Sequence, residues 1–259
     1  MIRIMGINME GERTERPTMP LIGDIAPGFQ ARTTKGGINF PEDYKGKWVI
    51  LFSHPADFTP VCTTEFIKCA TMQEEFRQLN AELIGLSIDS LYSHISWLAA
   101  IKEKVEYKGL RGIDIDFPII EDLDMEIARK YGMIHPRASY TQEEVLDKFE
   151  ATGGSFHFME SSTETVRAVF IIDPKARIRA ILYYPFTNGR SMEEIKRLLI
   201  AMQVSDKHNV QTPENWHPGD DVILPNPLSW DKAKERLRKK KGVTACGDWF
   251  LCLKEDPEK

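Results

Sequence analysis

The sequence predicts an α/β fold in which a mixed central sheet carries helices on both faces. The first indication is Trp48–Phe52, a continuous apolar run that is typical of a central strand buried on both faces. The second is the alternation of strand and helix patterns from residue 48 to residue 131. The third is a pair of apolar segments, 166–172 and 178–184, joined by Asp173-Pro174-Lys175-Ala176, which predicts a β-hairpin.

The other elements of this part of the chain follow in order. Residues 1–18 are rich in Arg and Glu without periodicity, which predicts a flexible N-terminal extension. Gly and Pro punctuate residues 21–44, as expected for an N-terminal hairpin. The remaining segments show helix or strand patterns: a helix after Cys62, a strand at 83–88, a helix at 91–101 capped by Asp89 or Ser90, a strand at 117–120 and a helix at 123–131.

The composition changes in the last quarter of the chain. A helical pattern at 192–203 is followed by residues 212–227, which contain four prolines. No regular element accepts proline at this density, so we expect a domain boundary between the two parts of the chain. The predicted domains are residues 19–187 and residues 188–259, and the second contains a further helical pattern at 230–240.

Composition and charge argue against several classes of function. Hydrophobic residues make up 42% of the chain and supply a core, whereas a net charge of -5 with interspersed signs gives no basic footprint for nucleic acid. The basic run Lys234–Lys241 is interrupted by Glu235 and Leu237, which predicts a solvated helix face. No apolar stretch approaches the ~18 residues of a membrane span, and no signal-peptide pattern is present, so we expect a cytoplasmic protein without membrane contact. The four cysteines lack zinc-site spacing, so neither a metal nor a cofactor is expected.

Cys62 is the predicted reactive centre. It lies where a helix begins, so its sulfur is among unpaired backbone amides at the positive end of the helix dipole, which favours the thiolate. Pro55 and Pro60 fix backbone angles around the preceding turn, and Thr59 offers a hydroxyl to a ligand bound at the sulfur. Cys69 lies on the apolar stripe of the same helix, ~10.5 Å along it, and is predicted to be a core residue.

Pro55, Thr59 and Cys62 reproduce a specific signature, Pro-x-x-x-Thr-x-x-Cys. On these residues the chain resembles the peroxiredoxins, the thiol-dependent peroxidases. His54 precedes the proline, as in the branch that contains the "one-cysteine" enzymes and their archaeal relatives. The similarity begins near Leu21 and runs to the C-terminus, with one interruption.

The resemblance implies a thioredoxin-like peroxidase domain at 19–187 and a C-terminal dimerisation arm at 188–259. By family analogy alone, five dimers form a decameric ring. Residues 136–156 interrupt the similarity, and the capping box at 141–144 predicts a short helix within them. If this insertion covers the mouth of the active site, it alters peroxide size preference or oligomer contacts.

The resemblance also assigns roles around Cys62. Arg167 supplies a fixed positive charge that favours the thiolate and polarises the peroxide, although a structural ion pair is the alternative. Arg190 corresponds to a second arginine of the family pocket, for which a purely structural role is equally open. Glu65 corresponds to the residue that orients the pocket arginine, and a carboxylate in the first helical turn also complements the dipole. For His54, a base, a hydrogen-bond partner of the bound peroxide and a satisfied polar side chain are all open, and we favour the second.

Cys246 and Cys252 are the candidates for the resolving thiol, because both recur in the C-terminal arm of the family. Their alternative role is core packing beside Trp249 and Phe250. In one helix they point to different faces, and in one strand they lie about 20 Å apart, so both cannot meet Cys62 in one rigid arrangement. We expect an intersubunit disulfide between Cys62 and Cys252, into which Cys246 exchanges.

The implied activity is reduction of hydrogen peroxide and small alkyl hydroperoxides, with a thioredoxin-like dithiol donor as reductant and antioxidant defence as the outcome. Two alternatives belong to other classes: a holdase chaperone ring, and a redox relay or sensor that passes oxidation to a partner. Phospholipase activity is not expected, because the sequence lacks a Gly-x-Ser-x-Gly elbow.

Overall fold

The computed structural model describes residues 19–134, 164–238 and 242–259. The predicted N-terminal extension at 1–18, the predicted insertion at 136–156 and the end of the basic run at 239–241 lie outside these residues. The chain divides into two compact units, one that ends at Arg190 and one that comprises Ser191–Lys259. No helix within the described ranges is long and apolar enough to cross a membrane.

The first unit is built on one sheet, whose seven strands have the order β2-β1-β5-β4-β3-β6-β7. The strands are β1 (Phe29–Thr33), β2 (Gly36–Phe40), β3 (Trp48–Ser53), β4 (Ala81–Ser87), β5 (Ile119–Glu121), β6 (Arg167–Ile172) and β7 (Ile178–Tyr184). The central strand β3 is parallel to β4 and antiparallel to β6. The predicted mixed sheet is therefore confirmed, as is the hairpin of β6 and β7.

Burial explains why β3 and β6 lie at the centre. All six residues of each strand are buried, so neither strand shows the alternation of a sheet with one solvated face. Their register pairs Val49 with Ile172 and Phe52 with Val169. This pairing brings the C-terminal end of β3 beside the N-terminal end of β6, where Arg167 is the first residue of its strand.

Among the described residues of the first unit, three α-helices are present, α1 (Pro60–Gln78), α2 (Leu91–Lys104) and α3 (Glu126–Lys130), together with a 3-10 turn at Glu42–Tyr44. Helix α1 has proline at its first position, where the missing N–H leaves no bond unmade, and Thr59 is its N-cap residue. Cys69 is buried on this helix, as predicted for a core residue. Helix α2 is capped by the Ser90 hydroxyl, which accepts a hydrogen bond from the backbone N–H of Ser93 at 3.2 Å.

The second unit combines two helices with a small antiparallel sheet of strand order β8-β10-β9. Its elements are α4 (Met192–His208), β8 (Val222–Ile223), α5 (Trp230–Arg238), β9 (Ala245–Asp248) and β10 (Leu251–Lys254). Trp216 is buried in its core cluster, and the indole N–H donates to the backbone oxygen of Asp220 at 3.0 Å. The proline-rich segment therefore packs by side-chain anchors rather than by regular structure.

Candidate active site

Cys62 is the third residue of α1 and is fully buried. The loop that leads from β3 to α1 carries His54, Pro55 and Thr59. The Thr59 hydroxyl donates to the backbone oxygen of Ala56 at 2.8 Å, which leaves its lone pairs as acceptors beside the helix start. The strand, turn and helix that surround Cys62 are thus arranged as the sequence predicts.

Arg167 reaches Cys62 from the first position of β6. Its Nη1 lies 3.3 Å from the Cys62 sulfur and also donates to Glu65 Oε2 at 2.8 Å. Its Nε donates to the backbone oxygen of Phe186 at 2.8 Å, so the plane of the guanidinium is fixed from the opposite side. Nη2 is buried and has no hydrogen-bond partner among the described residues. The side chain therefore keeps one donor free for a ligand at the sulfur.

Glu65 joins two arginines in the same buried cluster. Its Oε2 accepts from Arg190 Nη2 at 2.6 Å as well as from Arg167, and its Oε1 accepts from the backbone N–H and the Nε of Arg190 at 2.7 and 3.0 Å. Burial alone raises the pKa of Glu65, but the charges and hydrogen bonds of Arg190 and Arg167 outweigh it and lower that pKa below its ordinary value. Glu65 is therefore ionised.

Arg190 ties this cluster to the central strands. Its Nη1 donates to the backbone oxygens of Ser53 and Ala168 at 2.7 and 3.1 Å, and its guanidinium lies 5.1 Å from the centre of the Phe52 ring. Two guanidinium groups and one carboxylate leave the cluster with one positive charge in excess. The Cys62 sulfur therefore lies beside a buried cluster whose formal charges sum to a positive excess.

His54 belongs to a second buried network, which sequence reasoning found only in part. Its Nε2 lies 3.0 Å from Asp57 Oδ1, and Asp57 Oδ2 lies 2.8 Å from Nδ1 of His94. Nε2 of His94 lies 3.2 Å from the backbone oxygen of Ile120. The Nδ1 atom of His54 is buried without a hydrogen-bond partner among the described residues.

The pKa values of this network follow from burial and pairing. Burial lowers the pKa of His54 and outweighs the opposing hydrogen bond with Asp57, so the imidazole is neutral. Burial raises the pKa of Asp57, but hydrogen bonds from His54 and His94 outweigh it, so the pKa lies well below its ordinary range. Ligand atoms of these three residues lie within 4.8 Å of one another, yet most of them are already engaged in these hydrogen bonds.

Asp57 and His94 were not singled out from the sequence. Asp57 stands inside the predicted turn between Pro55 and Thr59, where a loop carboxylate carries no periodic signal. His94 had a usable signal, because it lies three residues before Trp97 and seven before Ile101, on the buried face of α2. A polar residue on the apolar face of a helix requires a buried partner, and Asp57 is that partner.

Cys246 and Cys252 are cross-strand partners in the hairpin of β9 and β10. They form a disulfide, with a Cα–Cα distance of 4.0 Å. Neither alternative for this segment, one helix or one strand, is present, because the chain reverses at residues 249–250 between the two cysteines. Cys252 is buried in the middle strand β10, whereas Cys246 is half-buried on the edge strand β9.

Comparison with known proteins agrees with this geometry. The family model described as AhpC/TSA family matches residues 22–181, and the model described as C-terminal domain of 1-Cys peroxiredoxin matches residues 201–240. A protein named peroxiredoxin from Methanosarcina mazei is 58% identical over 93% of this chain and 100% of its own length. The chain belongs to the peroxiredoxin family. A second peroxiredoxin, from Aquifex aeolicus, is 45% identical over 92% of this chain and 98% of its own.

Solved structures of peroxiredoxins share the fold. The yeast mitochondrial 1-Cys peroxiredoxin is 38% identical with a TM-score of 0.72, over 92% of this chain and 100% of that one. A cysteine-to-serine mutant of peroxiredoxin 6 from Arenicola marina is 30% identical with a TM-score of 0.71, over 93% and 100%. The predicted thioredoxin-like fold is confirmed, and the enzyme is a thiol-dependent peroxidase of the peroxiredoxin type. Family membership also implies peroxide substrates, a thiol reductant and oligomerisation.

Proposed function

We propose that Cys62 is the peroxidatic cysteine and that the enzyme reduces hydrogen peroxide and small alkyl hydroperoxides. The observation that carries this proposal is the 3.3 Å contact between Arg167 Nη1 and the Cys62 sulfur, inside a cluster with excess positive charge. The Cys62 thiolate attacks the terminal peroxide oxygen, so an S–O bond forms as the O–O bond breaks. Sulfur is oxidised to a sulfenic acid, and the leaving oxygen takes up a proton to become water or an alcohol.

Each neighbour has a role in this step. Arg167 stabilises the thiolate and, through the free Nη2, the negative charge that develops on the leaving oxygen. Glu65 and Arg190 fix the position of Arg167 through their shared ion pairs. Thr59 accepts a hydrogen bond from the peroxide.

Two further residues act on the shape of the pocket and on the substrate. Pro55 fixes the turn that approaches Cys62, because its ring restricts the backbone. His54 is a hydrogen-bond partner of the bound peroxide, through the ring nitrogen that has no protein partner among the described residues.

Recycling uses the C-terminal unit, residues 191–259, as an arm that reaches a second subunit. The Cys252 thiol of that subunit attacks the Cys62 sulfenic acid, which forms a disulfide and releases water. Cys246 then attacks Cys252, which frees Cys62 as a thiol and leaves a disulfide between Cys246 and Cys252. Their cross-strand pairing supports this exchange, because Cys246 and Cys252 face each other in the hairpin of β9 and β10. A thioredoxin-like dithiol donor then reduces the disulfide between Cys246 and Cys252. The enzyme is a cytoplasmic dimer, and five dimers form a decameric ring. Its role is antioxidant defence.

A non-reducing gel after one equivalent of peroxide tests the scheme. Wild type should form a covalent dimer that converts to the intrachain disulfide between Cys246 and Cys252. Cys246→Ser should accumulate the covalent dimer, because the exchange is blocked. Cys252→Ser should form no covalent dimer. Cys62→Ser is the control that abolishes both products. A Cys252→Ser enzyme that dimerises as wild type does, while Cys246→Ser does not, would reverse the two roles.

A further inference from the structure

The Nδ1 atom of His54 is a buried nitrogen without a hydrogen-bond partner among the described residues. Nearly all buried polar atoms in folded proteins are paired, so an unpaired one requires a reason. The His54 ring is held between Trp97, at 5.2 Å between ring centres, and Phe66, at 4.7 Å. Phe66 follows Cys62 by four residues on α1 and so lies on the same face of the helix. The unpaired atom therefore belongs to a ring that packs against α1, the helix that carries Cys62.

The protonation of His54 follows from its partner. Asp57 is ionised, so its oxygens only accept hydrogen bonds, and the His54 Nε2 atom at 3.0 Å must carry the proton. A neutral imidazole has one proton, which leaves Nδ1 as a bare lone pair. Without the carboxylate, nothing in the described network would select between the two tautomers.

His94 holds Asp57 in place. Its two ring nitrogens face Asp57 Oδ2 at 2.8 Å and the Ile120 carbonyl oxygen at 3.2 Å, and both of these atoms are acceptors without a proton. The His94 ring is therefore fixed on both sides, by the Asp57 carboxylate and by the Ile120 carbonyl. The backbone N–H of Asp57 donates to Asp89 Oδ2 at 3.0 Å, which fixes the main chain as well.

We propose that Asp57 and His94 are positioning residues, which hold His54 in the Nε2–H tautomer so that Nδ1 accepts a hydrogen bond from the O–H of a bound hydroperoxide. This inference rests on the proposed function of Cys62. Arg167 Nη2 then serves as the donor and His54 Nδ1 as the acceptor for the hydroperoxide, since both are buried nitrogens without a hydrogen-bond partner among the described residues. The peroxide is oriented with its terminal oxygen toward the thiolate.

The test compares two buried aspartates in the first unit. Asp57→Asn places an amide where the carboxylate receives two imidazole donors, so the Nε2–H tautomer is no longer enforced. Asp122→Asn is the matched control, because Asp122 is also buried and accepts two hydrogen bonds, from the backbone N–H groups of Ile127 and Ala128 at 3.0 and 2.7 Å. Reduced protein is mixed with hydrogen peroxide in a single turnover, which needs no reductant.

Two readouts are followed in each protein: the rate of Cys62 oxidation and the ring ¹⁵N spectrum of His54, assigned with His54→Gln. We expect Asp57→Asn to oxidise about 10-fold to 100-fold more slowly and to lose the Nε2–H signature, whereas Asp122→Asn changes neither. A purely structural Asp57 would change thermal stability without moving the tautomer signal. An Nδ1–H signature in wild type, or an Asp57→Asn protein that oxidises at the wild-type rate, would overturn the inference.

His94→Gln removes the imidazole that bridges Asp57 and the Ile120 carbonyl, while the glutamine amide keeps one donor for Asp57. We expect slower Cys62 oxidation than in wild type, with a smaller loss than in Asp57→Asn. A wild-type rate together with a wild-type tautomer signal would remove His94 from the proposal. Failure of wild type itself to oxidise Cys62 would instead contradict the proposed function, so the two failures are distinguishable.

Discussion

The surroundings of Cys62 and those of Cys246 and Cys252 differ in how far along the chain their contacts reach. Arg167, which touches the Cys62 sulfur, is 105 residues away, and the contact between Glu65 and Arg190 spans 125 residues. Cys246 and Cys252 are six residues apart in one hairpin. The first arrangement exists only when the whole sheet has formed, whereas the second is local. Buried charges from distant parts of the chain thus surround Cys62, and a local hairpin carries Cys246 and Cys252, the proposed resolving thiols.

The largest expected effect comes from Glu65→Gln, which tests whether the Cys62 surroundings depend on their buried charges. Removing the carboxylate leaves two buried arginines without their counter-ion, and breaking such a pair costs about 3–5 kcal/mol of folding free energy. Urea unfolding measures the loss. Glu82→Gln is the control, because its ion pair with Lys47 is largely solvated and contributes about 0–1 kcal/mol. Equal losses of unfolding free energy in Glu65→Gln and Glu82→Gln would contradict the view that the Cys62 surroundings depend on buried charges.

The same pair predicts a pH dependence. The pKa of Glu65 is lower in the folded than in the unfolded protein, so its contribution is fully present above the unfolded pKa of about 4.3 and is lost as the pH falls toward the folded pKa. The difference in stability between wild type and Glu65→Gln should therefore begin to shrink near the unfolded pKa and should vanish only below the lowered folded pKa. Unfolding curves that remain parallel through this range would contradict the assignment.

Arg167→Ala tests the catalytic half of the comparison. In the proposed mechanism the guanidinium stabilises the thiolate and the leaving oxygen, so its removal should slow Cys62 oxidation by about 100-fold to 1000-fold, measured by rapid mixing with hydrogen peroxide. Arg179→Ala is the matched control, since Arg179 also lies on the β6–β7 hairpin but faces Trp48 and Asp173. A comparable loss in both variants would show that general destabilisation, rather than the Cys62 contact, accounts for the effect.

A smaller effect is expected in the C-terminal hairpin. Reduction of the disulfide between Cys246 and Cys252 opens only a short loop, worth about 2 kcal/mol or less in chain entropy. Backbone hydrogen exchange, measured with and without a dithiol, should be faster with the dithiol in β9 and β10 and unchanged elsewhere. Cys246→Ser should be insensitive to the dithiol. If exchange in β3 and α1 changes as much, the C-terminal hairpin and the surroundings of Cys62 are coupled, which would contradict the local character of the hairpin.

The smallest effect is expected for Cys69→Ala. Cys69 shares helix α1 and complete burial with Cys62, but burial raises the pKa of its thiol to about 12, so it stays protonated. Peroxide oxidation should remain within twofold of wild type, and Cys69 should keep its thiol after treatment. Since the two cysteines are equally inaccessible, their difference in oxidation reports charge rather than exposure. Oxidation of Cys69 at a similar rate would remove that distinction.

Sequence reasoning reached the elements whose signals are local. The apolar run of β3, the hairpin of β6 and β7 and the start of α1 at Cys62 all carry periodicity or turn chemistry, and each is present. Arg167 was found because a family motif marks it, not because any local pattern does. The distance between Arg167 and Cys62 depends on the register of β3 with β6, and this register cannot be predicted from a single sequence.

The misses have a common physical cause. Asp57 and His94 meet only through tertiary packing of a loop against α2, so neither position stands out by spacing alone. The cysteine hairpin is not readable from the sequence, because a two-residue turn at 249–250 lies between strands of four residues each, too short to show alternation. A single helix and a single strand were the two alternatives considered for this segment, and the chain reversal between the two cysteines fits neither.

The central claim is that the charge cluster makes Cys62, and no other cysteine, the site of attack. Its most direct test is to mix the reduced enzyme with one equivalent of hydrogen peroxide and to determine by mass spectrometry which cysteine first gains oxygen. Wild type should gain it at Cys62, and Arg167→Ala should gain it there about 100-fold to 1000-fold more slowly. First oxidation at Cys69, Cys246 or Cys252, or an Arg167→Ala enzyme that reacts as fast as wild type, would contradict the account.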